Sequence, residues 1–493
     1  MSENNKNKMV KTYLDDAPWG SEEFLEEERK KSRRERRKLP EGCDSRVLYR
    51  DIFAIAWPSL LELTLASLVS MADMVMVGSM ANGDNAISAV SLAANPKFIF
   101  ISLLQALNIG VTAAVARDRG AQLHEKANDS LRQGLFLSFM ISIFATVVGF
   151  IFSKPLVRFM ATSALDEEII EMSTQYLQIQ FLGFITMGVT ATFTAAFRGT
   201  GNSKLPMVYG VTSNLVNIVL NYLLINGHFG FPALGVVGAS LATVIGQGVA
   251  LIIAIRATGS GKYYYTVHLK DFLHFKPDLE AIGRIVKVGL PSLGEQAIIR
   301  TGIILFARQV AALGQPSFTT HNVCMNVQSL SFMLGMGFAV SSTTMVGQSL
   351  GKLRPDLAEH YSRRSMRLSL ALSCVLGLFF AFFGKYVVML YSDTPEVIAQ
   401  SVPVMIIVGI LQPIQTPGFV LSGSLRGAGA TKMTAFITLV GTLVLRPVVG
   451  WLCIQKLGWG LLGAWAAISA DQIVRTVLIM AFYAEGKWKT IKV

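Results

Sequence analysis

Of the 493 residues, 52% are hydrophobic and only 15% are charged. Ordinary soluble domains carry about 25% charged residues, so the two or three soluble globular domains that this length would otherwise allow are excluded for want of polar surface. The formal net charge of +12 fits basic loops beside an anionic membrane leaflet, because the aromatic-interleaved basic patches of a nucleic-acid-binding fold are missing.

Residues 1–50 read as a cytosolic charged tail, in which Glu26 to Lys38 (EEERKKSRRERRK) forms a mixed charge run, more a solvated surface than a packing one. No apolar stretch precedes a small-residue cleavage site, so a signal peptide is not expected. From residue 52 onward, apolar runs of about 20 residues follow one another, each long enough for a hydrocarbon core of about 30 Å. Twelve are predicted, over 52–78, 87–115, 133–153, 175–196, 205–227, 236–256, 285–312, 320–347, 368–391, 402–424, 433–453 and 460–483. The distribution of Lys and Arg agrees with that number. Alternate loops hold clusters such as Arg117, Arg119, Lys126 and Arg132, or Lys352, Arg354, Arg363, Arg364 and Arg367, whereas the opposite loops hold only Lys154, Arg158, Lys385 and Lys456. Basic loops stay on the cytoplasmic side, which places both termini in the cytoplasm and the protein in a plasma (inner) membrane of bacterial type.

The chain repeats itself. Pro58-Ser-Leu-Leu-Glu62 recurs as Pro291-Ser-Leu-Gly-Glu295, Arg198-Gly-Thr-Gly201 as Arg426-Gly-Ala-Gly429, and Gly235-x-x-Gly-Ala239 as Gly460-x-x-Gly-Ala464. Three matches in one order indicate a duplication. The expected fold is therefore an all-α membrane protein with twelve transmembrane helices in two six-helix lobes, 51–256 and 285–485, joined by a cytosolic linker over 257–284 and closed by a cytosolic tail over 486–493. Parallel repeats of this kind occur in secondary transporters, with a substrate path between the halves.

Charged groups inside apolar spans cost about 2.5–3.5 kcal/mol on insertion scales and are functional candidates. Here they are Glu62, Asp73, Lys97, Glu295, Arg300, Arg308, Arg446, Asp471 and Arg475. Asp471 and Arg475 stand at i,i+4 and can neutralise each other. Arg308 can snorkel from its helix end, and Arg446 can brace a carboxylate of its own lobe. Glu62 and Asp73, eleven residues apart, share nearly one helix face about 16 Å apart along the axis. A carboxylate in a dry environment is driven to take a proton or to hold a cation such as Na⁺; the alternative is a hydrogen bond that serves packing alone. Asn214, Asn217 and Asn221, at spacings of three and four, offer amide oxygens from one side of the fifth span, and Thr243 in the sixth offers a hydroxyl. Buried amides also join membrane helices without any other role. Pro58 and Pro291 each remove a backbone hydrogen bond and are hinge candidates. The four cysteines, Cys43, Cys324, Cys374 and Cys453, are widely spaced and read as free thiols.

These residues resemble the multidrug and toxic compound extrusion (MATE) family from about 50 to 485. Pro58 with Asp73 in ADMVMVG is similar to the opening helix of that family. Arg198-Gly-Thr-Gly and Ser424-Leu-Arg-Gly-Ala-Gly are similar to its glycine turns, and Asn217-Ile-Val-Leu-Asn221 with Gly235-Val-Val-Gly-Ala-Ser-Leu-Ala-Thr243 to its fifth and sixth helices. The resemblance implies a cation-coupling site at Asp73, Asn217, Asn221 and Thr243. Asn221 stands where some members carry an acid, Ile299 where a NorM-like branch places one, and Gln415 where that branch has another; a NorM-type site in the second lobe is not expected. Glu62, Lys97, Glu295, Gln296 and Arg300 are candidates for substrate or ion, with a local bond of Glu295 to Arg300 or Gln296 as the alternative.

The expected activity is secondary active efflux of amphipathic, cationic organic compounds in exchange for H⁺ or Na⁺ by alternating access, with no cofactor and no nucleic-acid partner, by a monomer in contact with lipid. The 20 Met and 29 Phe suit adaptable surfaces, though core and lipid contacts use the same residues. The runner-up is a flippase for lipid-linked oligosaccharide or a related lipid, for which Lys97, Arg300 and Arg446 would form a cationic cavity. An enzyme is not expected, since the lone His at a span, His321, has no companion ligands, and no GxxxxGK[ST] loop is present for nucleotide.

Overall fold

The computed structural model describes residue 39 and residues 44–80, 82–161, 166–265, 276–391 and 394–491. The charge run Glu26–Lys38, Cys43 and residues 266–275 of the expected linker lie outside them. Among the described residues every regular element is helical. The long elements are α1 (Ser45–Gly78), α2 (Gly83–Gly120), α3 (His124–Ile151), α4a (Glu167–Leu182), α4b (Phe184–Gly199), α5 (Lys204–Ile225), α6 (Gly235–Gly259), α7 (Leu279–Ala311), α8 (Gln315–Gly351), α9 (Pro355–Met389), α10 (Pro395–Gly427), α11 (Thr431–Lys456) and α12 (Gly460–Glu485). Ten are long and apolar enough to cross a membrane, and α4a with α4b adds an eleventh, bent by 49°. α7 is the twelfth rod, made less apolar by Glu295, Gln296 and Arg300 in its middle. The chain is an all-α, multi-pass membrane protein of two lobes.

The helices outrun the apolar runs that announce them. The runs at 52–78, 87–115 and 285–312 become helices that start earlier, at Ser45, Gly83 and Leu279. Helical hydrogen bonds are internal to the segment, so winding continues past the point where side chains turn polar. The fourth span, expected as one run, breaks at Gly183. The eleventh holds two π-helical stretches, Leu439–Leu445 and Leu452–Lys456, around Arg446–Trp451. Pro447 has no N–H to give the carbonyl four residues back, and the chain before it winds at the wider pitch.

Two compact units emerge. One comprises residues 57–115 and 124–289, and the other comprises residues through Ala56, 116–123 and Leu290 onward. α1 is thus shared at Ala56/Trp57, beside Pro58, and α7 at Gly289/Leu290, beside Pro291. The first unit packs around Leu107, Val111, Leu131, Phe193, Phe197 and Tyr209, with a second cluster where the Phe100 and Phe181 rings meet edge to face at 5.1 Å. Tyr265, placed by the sequence in the linker, is fully buried in this unit and donates its hydroxyl to the Ala196 carbonyl at 2.9 Å. The second unit packs around Phe306, Val323, Phe380, Met405 and Trp465. Apolar stripes at helical spacing, Phe144, Val147 and Ile151 on α3 and Val375, Leu378 and Phe382 on α9, stay uncovered, as a lipid-facing surface requires. Cys324, Cys374 and Cys453 are free thiols.

The duplication is visible in backbone geometry. After α4b, Gly201 takes φ +89°, with Asn202 N–H donating to Phe197 O and Gly201 N–H to Arg198 O, both at 2.9 Å. After α10, Gly429 takes φ +87°, with Ala430 N–H donating to Leu425 O at 2.8 Å and Gly429 N–H to Arg426 O at 3.0 Å. Both are the Schellman ending, in which a left-handed residue lets the last carbonyls find donors. Gly235 and Gly460, the third matched pair, also take similar positive φ, 57° and 54°.

A side chain at the left-handed position costs about 1–2 kcal/mol. Gly201→Ala and Gly429→Ala are each expected to lower the thermal unfolding midpoint of the detergent-purified protein, and by similar amounts. Gly248→Ala, in α6 with open space around it, is the control that leaves the midpoint unchanged or raised.

Candidate functional site

Four carboxylates lie within the spans, and the structure sorts them by partner. Glu62 on α1 accepts from Arg198 Nη2 at 2.8 Å. Glu295 on α7 is buried; it accepts from Arg426 Nη2 at 2.7 Å and from the hydroxyls of Thr434 at 3.1 Å and Thr438 at 3.4 Å. Asp471 on α12 is fully buried and accepts from Arg446, with Nε at 2.9 Å. Among the described residues Asp73 on α1 is held by amides alone: Asn221 Nδ2 donates to its Oδ1 at 2.6 Å. In the orientation that satisfies both ends of its amide, Asn217 donates Nδ2 to the same oxygen at 2.9 Å and accepts at Oδ1 from Thr243 N and Oγ1, each at 3.2 Å.

The sequence-predicted set of Asp73, Asn217, Asn221 and Thr243 therefore comes together, one turn apart along α5 and across to α1 and α6. Asn214 is not bonded to it. Asn217 and Asn221 are buried, 5% and 0% exposed, and Asn221 Oδ1 is a buried acceptor with no partner among the described residues. Thr243 Oγ1 also lies 3.0 Å from the Ala239 carbonyl, so its single proton goes either there or to Asn217 Oδ1, and Tyr176 lies within electrostatic reach of the carboxylate. Amide N–H groups of Asn221 and Asn217 face the Asp73 carboxylate, and the acceptors gathered in the set are oxygens of carboxylate, amide and hydroxyl. Oxygens of this kind suit a proton or a hard cation. Among the described residues no group of three or more His, Cys, Asp and Glu is gathered, as a transition-metal centre would need.

Other expectations are redirected. Glu295 bonds neither Arg300 nor Gln296 but the arginine of the second glycine turn and two hydroxyls of α11. Glu62, which shares a helix face with Asp73, is occupied by the arginine of the first glycine turn. Asp471 pairs first with Arg446, while Arg475 Nε stands 3.9 Å from its other oxygen and Arg475 Nη1 donates to Thr442 at 3.0 Å. Arg446 is thus spent within its own lobe. Lys97 Nζ donates to Gln180 Oε1 at 2.6 Å. Gln415 is buried in a neutral cluster with Gln328, Gln412 and Ser331. His321 packs beside Phe306 and Trp465. Arg198 and Arg426 were not among the candidates, yet a signal was present: each half repeats a Glu four residues after its Pro and an Arg opening its glycine turn.

Comparison with known proteins follows the same lines. The family model MatE matches residues 58–223 and 291–452, one copy per half. The probable multidrug resistance protein NorM of Thermotoga maritima is 28% identical over 445 residues, covering 89% of this chain and 93% of its own length. The multidrug resistance protein MdtK of Yersinia enterocolitica is 28% identical over 404 residues, covering 82% and 87%. A crystal structure of MATE in the straight conformation has the same fold, with a TM-score of 0.82 at 21% identity over 90% of this chain and 97% of that one.

Removing one partner of a buried ion pair costs about 3–5 kcal/mol because the other charge is left unpaired. Glu295→Ala is expected to destabilise the protein by that order, and Glu295→Ala with Arg426→Ala by clearly less than the sum of the single changes. A double-mutant cycle on unfolding midpoints reads the coupling.

Proposed function

The chain belongs to the MatE family, and from that premise we propose that it is a secondary active multidrug efflux transporter which exports amphipathic organic compounds in exchange for H⁺ or Na⁺. The observation that supports this most is the contrast among the in-span carboxylates: Glu62, Glu295 and Asp471 each face an arginine, whereas Asp73 faces only neutral amides. A carboxylate neutralised by a fixed arginine gains little from a proton. One held by amide N–H groups carries a full negative charge that a proton or Na⁺ cancels, and the change of one unit is felt strongly in a dry interior.

Asp73 sits fifteen residues after Pro58 in the same helix, so the cation acts on the element that carries the hinge candidate. Each ligand shifts the balance of conformations only by its differential affinity for them. Cation at Asp73 favours one conformation, substrate the other, and alternation between the two is exchange. The two relatives whose names specify multidrug resistance support this reading, as do the uncovered apolar stripes, which suit a bilayer. We place the protein in the plasma membrane with both termini in the cytoplasm, acting as a monomer without further cofactor. The flippase reading called for three cations in one cavity, and Arg446 is already committed to Asp471.

Dye efflux from proteoliposomes under a pH gradient or a Na⁺ gradient, imposed separately, tests the proposal. Wild type is expected to export against one of them. Asp73→Asn is expected to elute and unfold as wild type does, since an amide fills the same space, but to lose gradient-driven export by at least about tenfold. Full export by Asp73→Asn, or translocation of lipid without dye export by wild type, overturns the assignment.

A further inference from the structure

The first unit holds one more charge that no acid balances. Lys97 follows Pro96 in the middle of α2 and is half-buried. Its Nζ reaches Gln180 Oε1 at 2.6 Å; Gln180 is 3% exposed, so the amine points into the lobe and away from lipid. Among the described residues no Asp or Glu pairs with it. An ammonium has three N–H donors, and here one neutral oxygen is its hydrogen-bond partner. Holding a cation this way within a bilayer is costly, and the missing complement is an anionic group.

The bonds beyond Lys97 lead to the cation site. Gln180 stands just before the break between α4a and α4b, and its Nε2 donates to Ser240 Oγ at 3.1 Å. Ser240 Oγ in turn donates to the Tyr176 carbonyl at 2.9 Å. Three residues along the same face of α6 is Thr243, which meets Asn217, which meets Asp73. Lys97 and Asp73 are thus each tied by hydrogen bonds to α6, at Ser240 and Thr243, which lie about one turn apart.

We propose that Lys97 is the substrate-recognition point for an acidic group, so that the preferred cargo is an amphipathic compound bearing a carboxylate, zwitterions included, and not a purely cationic one. A substrate carboxylate takes the place of the Gln180 amide oxygen on Nζ. The freed Gln180 then reorients toward or away from Ser240, and α6 carries that change to Thr243 and the Asp73 site. This rests on the efflux reading above and replaces the expectation of cationic substrates with a carboxylate-bearing class.

Two dyes that differ by one methyl ester make the test: rhodamine 110, with a free carboxyl, and rhodamine 123, its methyl ester. In proteoliposomes wild type is expected to export rhodamine 110 with an efficiency about tenfold above rhodamine 123, the order of a charged hydrogen bond. Lys97→Met is expected to bring the efficiencies for the two dyes within about twofold of each other, with elution and an unfolding midpoint like those of wild type showing that the protein is folded. Lys97→Arg is expected to keep most of the preference. Equal handling of the dyes by wild type, a preference for the ester, or a preference that survives Lys97→Met overturns this inference and leaves the efflux reading standing. Should Lys97→Met not fold, Lys97→Gln, which keeps a donor for Gln180 without the charge, takes its place: loss of the preference supports the inference and its retention overturns it. Export of neither dye by wild type overturns both readings.

Discussion

A charge inside a bilayer must find its opposite, and most of what is specific about this protein follows from how its in-span charges do so. Three of four acids are tied to arginines, two of which come from turns at the ends of helices and one from the middle of α11. Such pairs trade a large desolvation cost for geometry: each fixes one helix against another and leaves the pair neutral. Asp73 is the exception. Its partners are amide groups that stabilise the charge without cancelling it. Lys97 is the mirror case on the basic side.

The duplication shows where the two halves have kept a shared device and where they have parted. Glu62 with Arg198 and Glu295 with Arg426 are one arrangement used twice, at matched offsets from a proline and a glycine turn. Yet Glu295 also receives the hydroxyls of Thr434 and Thr438, whereas the corresponding positions of the first half are Pro206 and Gly210, and Gly210 lies against the Glu62 side chain. The second pair is therefore the better buried and the more fully bonded. The halves diverge further at their polar centres. α5 brings two asparagines to an acid, while α10 brings Gln415 to Gln328 and Gln412 in a cluster with no charge at all. Among the described residues, the first centre contains an acid and the second does not.

Much of this was legible in the chain. Apolar runs of bilayer length, the alternation of basic loops and the three matched motifs specify twelve helices in two halves, because hydrophobic length and charge asymmetry are properties of the residues themselves. The Asp73 set was legible too: Asp73 stands out as a charge inside a span, Asn217 and Asn221 share a helix face by spacing, Thr243 offers a hydroxyl, and the resemblance to a family joined the four into one site. The alternative partners weighed for Glu295, Arg300 and Gln296, were drawn from its own helix because spacing reports only such neighbours, and the arginine it meets lies 131 residues away.

The sequence by itself determined the solvent, the number of spans, the repeat and the kinds of residue able to hold an ion, since each follows from composition or from helical periodicity. Only the tertiary structure decided which buried acid is left without a cation, which arginine each of the others meets, and that Lys97 faces an amide. Those outcomes depend on helices distant in the chain coming within about 3 Å, the range of a hydrogen bond, and no local pattern encodes that distance.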